Sequence, residues 1–294
     1  MNDSDLMVSA TRSEAALAAV LSGNVEIAAI IVSEMPLQDQ YDLRKAAATL
    51  SALCKKPHIA GEDAQFELCH SPAALQVQLI AVPEVTLPNG TTVPPFLVSQ
   101  YHCSQSEDGA PWVNIGYHDA RKACQEAGMS LITELQALAI AHDIVQQDIN
   151  WTGGKVGLGK VFQGLHKGTV EGPQGRGFVS PDPEERRWHQ LSNGSRIYDF
   201  AGHVFSWVFD DVQGGENGIV SSPFTDNSPS NSVRSGLSVE KGIGYAPTVG
   251  DFWADCAFIR GGCWRSGRYA GVLYLRNDRH EGEWDDVGFR CTHT

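Results

Sequence analysis

Apolar positions are spaced in three different ways along the chain. Near the start they recur at helical intervals. Thr11 and Glu14 fit a capping box, in which a hydroxyl and a carboxylate three residues apart satisfy each other's free backbone N–H groups. This predicts a helix over 14–21 that Gly23 ends, and an Ala- and Leu-rich helix from about 38 to 55. The stretch PEVTLPNGTTVPP (83–95) breaks every period and reads as a domain boundary or a hairpin. From Phe96, PFLVSQYHC predicts a strand. Ala120, Ala123, Cys124 and Ala127 then fall at i, i+3, i+4 and i+7, the apolar stripe of a helix between Asn114 and a capping Gly128. Thr133 and Gln136 form a second capping box and open a helix to about Gln146. Beyond residue 150, Gly, Ser, Asn, Asp and Trp dominate. Apolar runs shrink to HVFSWVF and CAFIRGGCW, which suit short strands joined by long loops.

The pattern divides the chain into a helical N-terminal region, 1–90, for docking or homo-oligomerisation, and an α+β domain, 91–294. With 294 residues there is material for both. No apolar run approaches the roughly 20 residues of a membrane span. The net charge of -13 repels phosphate backbones and argues against general nucleic-acid binding. The first residues, MNDSDLMVSATRSEAA, carry acids where a secretory signal needs a positive start and an apolar core. The expectation is synthesis in the cytoplasm. The seven cysteines include no Cys-x-x-Cys pair and read as mostly buried thiols.

Few segments point to chemistry. Gly154 to Lys160 nearly matches a phosphate-binding loop, but Val161 stands where Ser or Thr must hold Mg²⁺, and no apolar strand leads in. His-Glu-x-x-His and Gly-x-Ser-x-Gly are both missing from the sequence. Asp210, Asp211, Glu216 and Asn217 could bind a hard cation through oxygens, although a polar loop with local turns is the simpler reading. Trp151, Trp188, Trp207, Trp253 and Trp264 read as core. Glu184-Glu185-Arg186-Arg187 reads as a solvated charge cluster.

Three further segments, in order, resemble the formylglycine-generating-enzyme domain, a variant of the C-type lectin fold. They are PWVNIGYHDARKACQEAGMSLITELQALAIA, RIYDFAGHVFSWVFDD, and the closing pair RGGCW and GFRC. The resemblance covers about 96–294 and implies an α+β C-type lectin fold of that subtype. It also implies that Cys124 and Cys291 are neighbours, because the enzymes bridge the matching cysteines. Two positions argue against the enzymes' oxidising activity. Their copper-binding cysteines fall, counted from Gly261, at Ser266 and Gly271. The calcium-binding Asn and Glu of the central motif are His203 and Ser206. No metal or cofactor is therefore expected, and the oxidising enzyme stands as the alternative.

The variable proteins of diversity-generating retroelements, found in phages and bacteria, match more fully. In that branch a mutagenic reverse transcriptase rewrites a C-terminal segment held in a fixed frame. Gly261-Gly262-Cys263-Trp264, Ala270-Gly271-Val272 and Val287-Gly288-Phe289-Arg290 resemble the frame. Such mutagenesis targets adenines, and an Asn codon changed at its first two bases reaches Arg, Ser, Tyr, Asp, His and Gly. Arg265, Ser266, Arg268, Tyr269, Arg276, Asn277, Asp278, His280, Asp285 and Asp286 are all reachable. Together with Tyr274, Arg279 and Trp284 they are the expected ligand-binding set. Arg, Tyr and Trp are the side chains most enriched at interface hot spots. The expected partner is an unknown protein or glycan, met by a binding protein with no catalytic residues; the resemblance allows assembly into a phage particle.

Overall fold

The computed structural model describes residues 75–232, 239–245 and 249–294. The helices expected over 14–21 and 38–55 lie outside them. The first strands are β1 (Leu79–Val82), β2 (Val85–Thr86), β3 (Thr92–Val93) and β4 (Phe96–Ser99). β2 and β3 pair as a hairpin with Val85 opposite Val93, so the Pro-rich stretch at 83–95 is a hairpin. β1 pairs antiparallel with β4, Leu79 opposite Ser99. β1 and the hairpin belong to the same compact unit as the rest of the domain, 70–294.

Helix α1 (Tyr117–Glu126) buries Tyr117, Ala120 and Cys124. Its apolar stripe is thus i, i+3, i+7, and Ala127 is exposed instead of forming its end. Past that point Gly128 turns the chain left-handed at φ 72°. The N–H of Met129 reaches the carbonyl of Cys124 at 2.9 Å and that of Gly128 reaches Gln125 at 2.9 Å, a Schellman cap. After β5 (Ser130–Leu131), helix α2 (Glu134–Val145) opens with the expected capping box of Thr133 and Gln136. α2 is buried on nearly every side and packs on the β2–β3 hairpin. A helix buried on nearly every side sits inside a core, with Glu134, Gln136 and Asp143 its buried polar members.

The remaining strands are short, as the apolar runs predict: β6 (Trp188–Gln190), β7 (Arg196–Tyr198), β8 (Phe205–Val208), β9 (Cys256–Arg260), β10 (Leu275–Arg279), β11 (Val287–Phe289) and β12 (Cys291–His293). They build a four-stranded sheet ordered β1-β4-β12-β5 and another ordered β10-β9-β8-β11. The second is mixed, since β11 runs parallel to β8 while β9 is antiparallel to both of its neighbours. The architecture is α+β. The last strand, β12, lies between β4 and β5, so the C-terminal segment is locked into the sheet that begins the domain.

Candidate functional site

The segment 261–291 divides sharply by burial. Gly261, Gly262, Cys263, Trp264, Ala270, Gly271, Val272, Val287, Gly288, Phe289 and Arg290 are all buried. The reasons are local. Gly261 sits at φ 96°, a conformation that L side chains rarely adopt, and a Cβ there would lie 2.9 Å from the Phe200 carbonyl oxygen. Trp264 is 2% exposed, donates its backbone N–H to His203 and accepts from Gly168. Arg290 is wholly buried, yet its guanidinium donates to the carbonyls of Ser99 (3.0 Å) and Tyr198. That explains an arginine inside a packing motif: it clasps β4 to β7.

Each of the thirteen expected ligand residues is exposed or half-buried. Arg265 donates to Asp285 at 2.5 Å and pairs with Asp286 at 3.2 Å, which joins the two ends of the segment. Arg268 and Tyr269 sit on a 3₁₀ turn, Gly267–Tyr269, where the guanidinium donates to the phenol oxygen at 3.1 Å. Arg276, Asn277, Asp278 and Arg279 lie on β10, at the edge of its sheet. Burial raises the phenol of Tyr274, and Arg276, Tyr245 and Tyr269 lie close enough to act on it electrostatically. Arg265 thus brings residues 285–286 to the start of the segment. His280, just past β10, makes a contact of its own. Its Nδ1 lies 3.1 Å from Nε2 of His118 on α1.

Two expected members also have structural duties. The Ser266 hydroxyl accepts the Cys263 N–H at 2.9 Å, and Tyr274 is half-buried against Phe205 with ring centroids 5.4 Å apart. Two neighbours were missed by sequence reasoning. His118 reaches the segment only because the backbone N–H of Tyr117 bonds the His280 carbonyl. Tyr245, 45% exposed, flanks β10 through its carbonyl, which accepts the Leu275 N–H. No local signal in the sequence marks either one.

The positions that carry metals in the oxidising enzymes do other work here. His203 Nε2 accepts the Gln174 N–H at 2.7 Å, and the Ser206 hydroxyl bonds His102 Nε2 at 2.8 Å. At Gly271 a Cβ would lie 2.2 Å from the carbonyl carbon of Ile243, so a cysteine cannot stand there without moving the backbone. In the acidic loop, Asp210 accepts the N–H groups of Val212 and Gln213, and Asp211 accepts that of Leu135. Both carboxylates therefore serve local turns and caps. Among the described residues no group of three or more His, Cys, Asp or Glu is arranged to hold a metal ion.

No family model matches the chain, and no curated protein matches it. Solved structures do show similarity. PvdO from Pseudomonas aeruginosa aligns at 15% identity and a TM-score of 0.39, over 76% of this chain and 99% of its own. Treponema denticola variable protein 1 aligns at 14% identity and a TM-score of 0.37, over 74% of this chain and 95% of its own. The Major Tropism Determinant I1 variant aligns at 14% identity and a TM-score of 0.31, over 60% of this chain and 37% of its own.

Proposed function

We propose that this chain is a non-catalytic ligand-binding protein of the C-type lectin fold, formylglycine-generating-enzyme subtype, whose segment 261–291 is diversified by a retroelement. One observation carries the reading: within a single segment, every frame residue is buried and every expected variable residue reaches solvent. Substitutions at exposed positions away from special contacts usually change stability by less than about 0.5 kcal/mol, so such a frame can display many sequences. Binding then rests on a few anchors, with Arg265, Arg268, Tyr269, Arg276 and Trp284 the side chains suited to that role. The ligand is a protein or a glycan. The N-terminal region serves for docking or homo-oligomerisation, and the protein is made in the cytoplasm, as part of a phage particle or of a host that carries the retroelement. The oxidising-enzyme alternative is disfavoured by Ser266 and by the lack of room at Gly271.

Two experiments test this reading. Deep sequencing of the gene from a growing population should find substitutions confined to codons of the exposed set and to adenine positions. A spread of changes across frame codons would refute diversification. Separately, Arg265, Tyr269, Arg276 and His280 are replaced together with Ala, and wild type and variant are compared on one array of cell-surface proteins and glycans. Unchanged circular dichroism with loss of the wild-type signals is expected. Retained signals would place the ligand site elsewhere.

A further inference from the structure

A second cleft lies outside the segment 261–291. It has a volume of about 390 Å³ and is walled by Tyr101, Arg176, Phe178, Arg186, Trp188 and Tyr198, among others. That volume is within the range of small-molecule sites. None of its lining residues belongs to the frame or to the expected variable set, so it is independent of the function proposed above.

The cleft corrects the reading of residues 184–187 as a solvated charge cluster. Glu185 and Arg187 are buried and Arg186 is half-buried. The Arg186 guanidinium carbon lies 3.8 Å from the Phe162 ring centroid and 3.7 Å from that of Trp188, and Arg196 lies over Trp188 at 4.1 Å. Arg176 lies over Tyr101 at 5.0 Å, and Tyr101 stacks on Tyr198 with centroids 4.6 Å apart. These are cation–π contacts on preset aromatic rings.

The charge balance is uneven. Arg186 donates only to neutral acceptors, the carbonyls of Trp188 and Ile149 and the Asn150 side chain. The Nε of Arg176 is buried without a partner. The acids nearby are already engaged. Asp182 pairs with Lys167 at 2.7 Å. Glu185 accepts from the backbones of His166 and Lys167 and from the hydroxyls of Thr169 and Ser180. Asp199 holds Arg187 through both oxygens. Among the described residues two guanidinium groups, those of Arg176 and Arg186, are thus left without an anion. Burial, and then the neighbouring Arg196, lower Arg186 to about 10, the direction expected of a cation that lacks a counter-charge.

We propose that this cleft binds a small aromatic carboxylate, its carboxylate on Arg176 and Arg186 and its ring against the aromatic walls. A planar guanidinium matches a carboxylate through two parallel hydrogen bonds and also stacks on rings. The phenols of Tyr101 and Tyr198 bond each other and leave one O–H free to donate, and Phe178 supplies an apolar wall. A monoanion suits the cleft better than a phosphate dianion, because Asp182 and Glu185 also line it and repel added negative charge.

The test uses the whole protein and three probes: benzoate, benzylamine and inorganic phosphate. Each is titrated by calorimetry at low and at high salt, while the Trp188 indole N–H is followed by NMR. Benzoate should bind, shift the Trp188 resonance and weaken with salt, and the other two probes should not bind. Arg176→Gln should weaken benzoate at least about tenfold, the loss expected for one charge-assisted hydrogen bond. Arg186→Gln should do the same where it folds. Among the described residues the Arg176 side chain makes no hydrogen bond and its Nε is buried without a partner, so Arg176→Gln is the deciding variant if Arg186→Gln unfolds. No benzoate binding, equal binding of benzylamine, phosphate binding in its place, or full affinity in Arg176→Gln would each overturn the proposal.

Discussion

The sulfur of Cys291 lies 2.7 Å from that of Cys124, which joins the last strand to the first helix of the domain. The resemblance implied this pair. It did not imply the third thiol, Cys103, whose sulfur lies 3.4 Å from that of Cys291. Burial alone would raise Cys103, but hydrogen bonds with Cys124 and Cys291 hold it well below the usual thiol range. Cys291 therefore has two candidate partners, and distance favours Cys124. Oxidation by a small diffusible disulfide should link Cys124 to Cys291 and leave Cys103 free. In Cys124→Ala the bridge should move to Cys103. Peptide mass mapping without reduction checks both, and a Cys103–Cys124 bridge in the wild type would contradict the geometry.

The frame makes a second prediction. Trp264 is 2% exposed and Phe289 is fully buried. Replacing either with Ala should cost about 3 to 5 kcal/mol, the usual penalty for emptying an aromatic site in a core. Arg268→Ala, four residues from Trp264, should cost less than about 0.5 kcal/mol. Urea unfolding of the three variants measures the contrast. Equal losses at Trp264 and Arg268 would erase the division between frame and display.

What the sequence made legible was local. The Thr133–Gln136 capping box, the Gly128 cap and the hairpin at 83–95 depend on residues a few positions apart, so their signals are complete in a short window. The burial of the frame was legible through its resemblance to known motifs. Long-range pairings left no such trace. Nothing near Glu184-Glu185-Arg186-Arg187 announces that Arg187 will meet Asp199 across the β6–β7 hairpin. Likewise, His118 and His280 are 162 positions apart. The position of Ala127 failed for another reason: the helix ends one residue earlier, at Glu126, so a position that fits the stripe faces solvent.

Asp210 gives a pH-dependent prediction. Burial, and then the nearby Glu134, push its carboxyl up to about 6, against the backbone N–H groups that it accepts. Its unfolded value is about 3.9. Because the folded value is the higher one, the fold favours the protonated form. Between about pH 6 and pH 4 the folded state binds more protons, so this group adds stability as pH falls and costs stability above pH 6. Asp210→Asn removes that cost and keeps an oxygen for the Val212 and Gln213 N–H groups. The variant should be more stable than wild type at pH 7 by about 1 to 3 kcal/mol, and the difference should vanish near pH 4. Denaturant midpoints at the two pH values measure it, and a destabilised variant at pH 7 would reverse the sign.

Glu134 and Arg260 connect the scaffold to the display segment. Arg260 ends β9 and precedes the first frame glycine. Its Nε and one terminal nitrogen donate to the two Glu134 oxygens at 2.6 and 2.5 Å, and the other terminal nitrogen donates to the Leu273 carbonyl at 3.1 Å. Ser230 donates to the same carboxylate at 2.5 Å. One buried guanidinium thus clamps α2, β9 and the strand-side end of the loop 261–273. Removing one partner strands a buried charge, whereas removing both does not. Arg260→Met should therefore destabilise the protein by about 3 to 5 kcal/mol, and adding Glu134→Gln should recover part of that loss. The Leu273 carbonyl loses its donor in both variants. Hydrogen exchange over 261–274 should stay faster than in wild type even in the double variant, at equal distance from the unfolding midpoint. If stability and loop protection recover together, the ion pair acts on the fold as a whole and has no separate hold on the display segment.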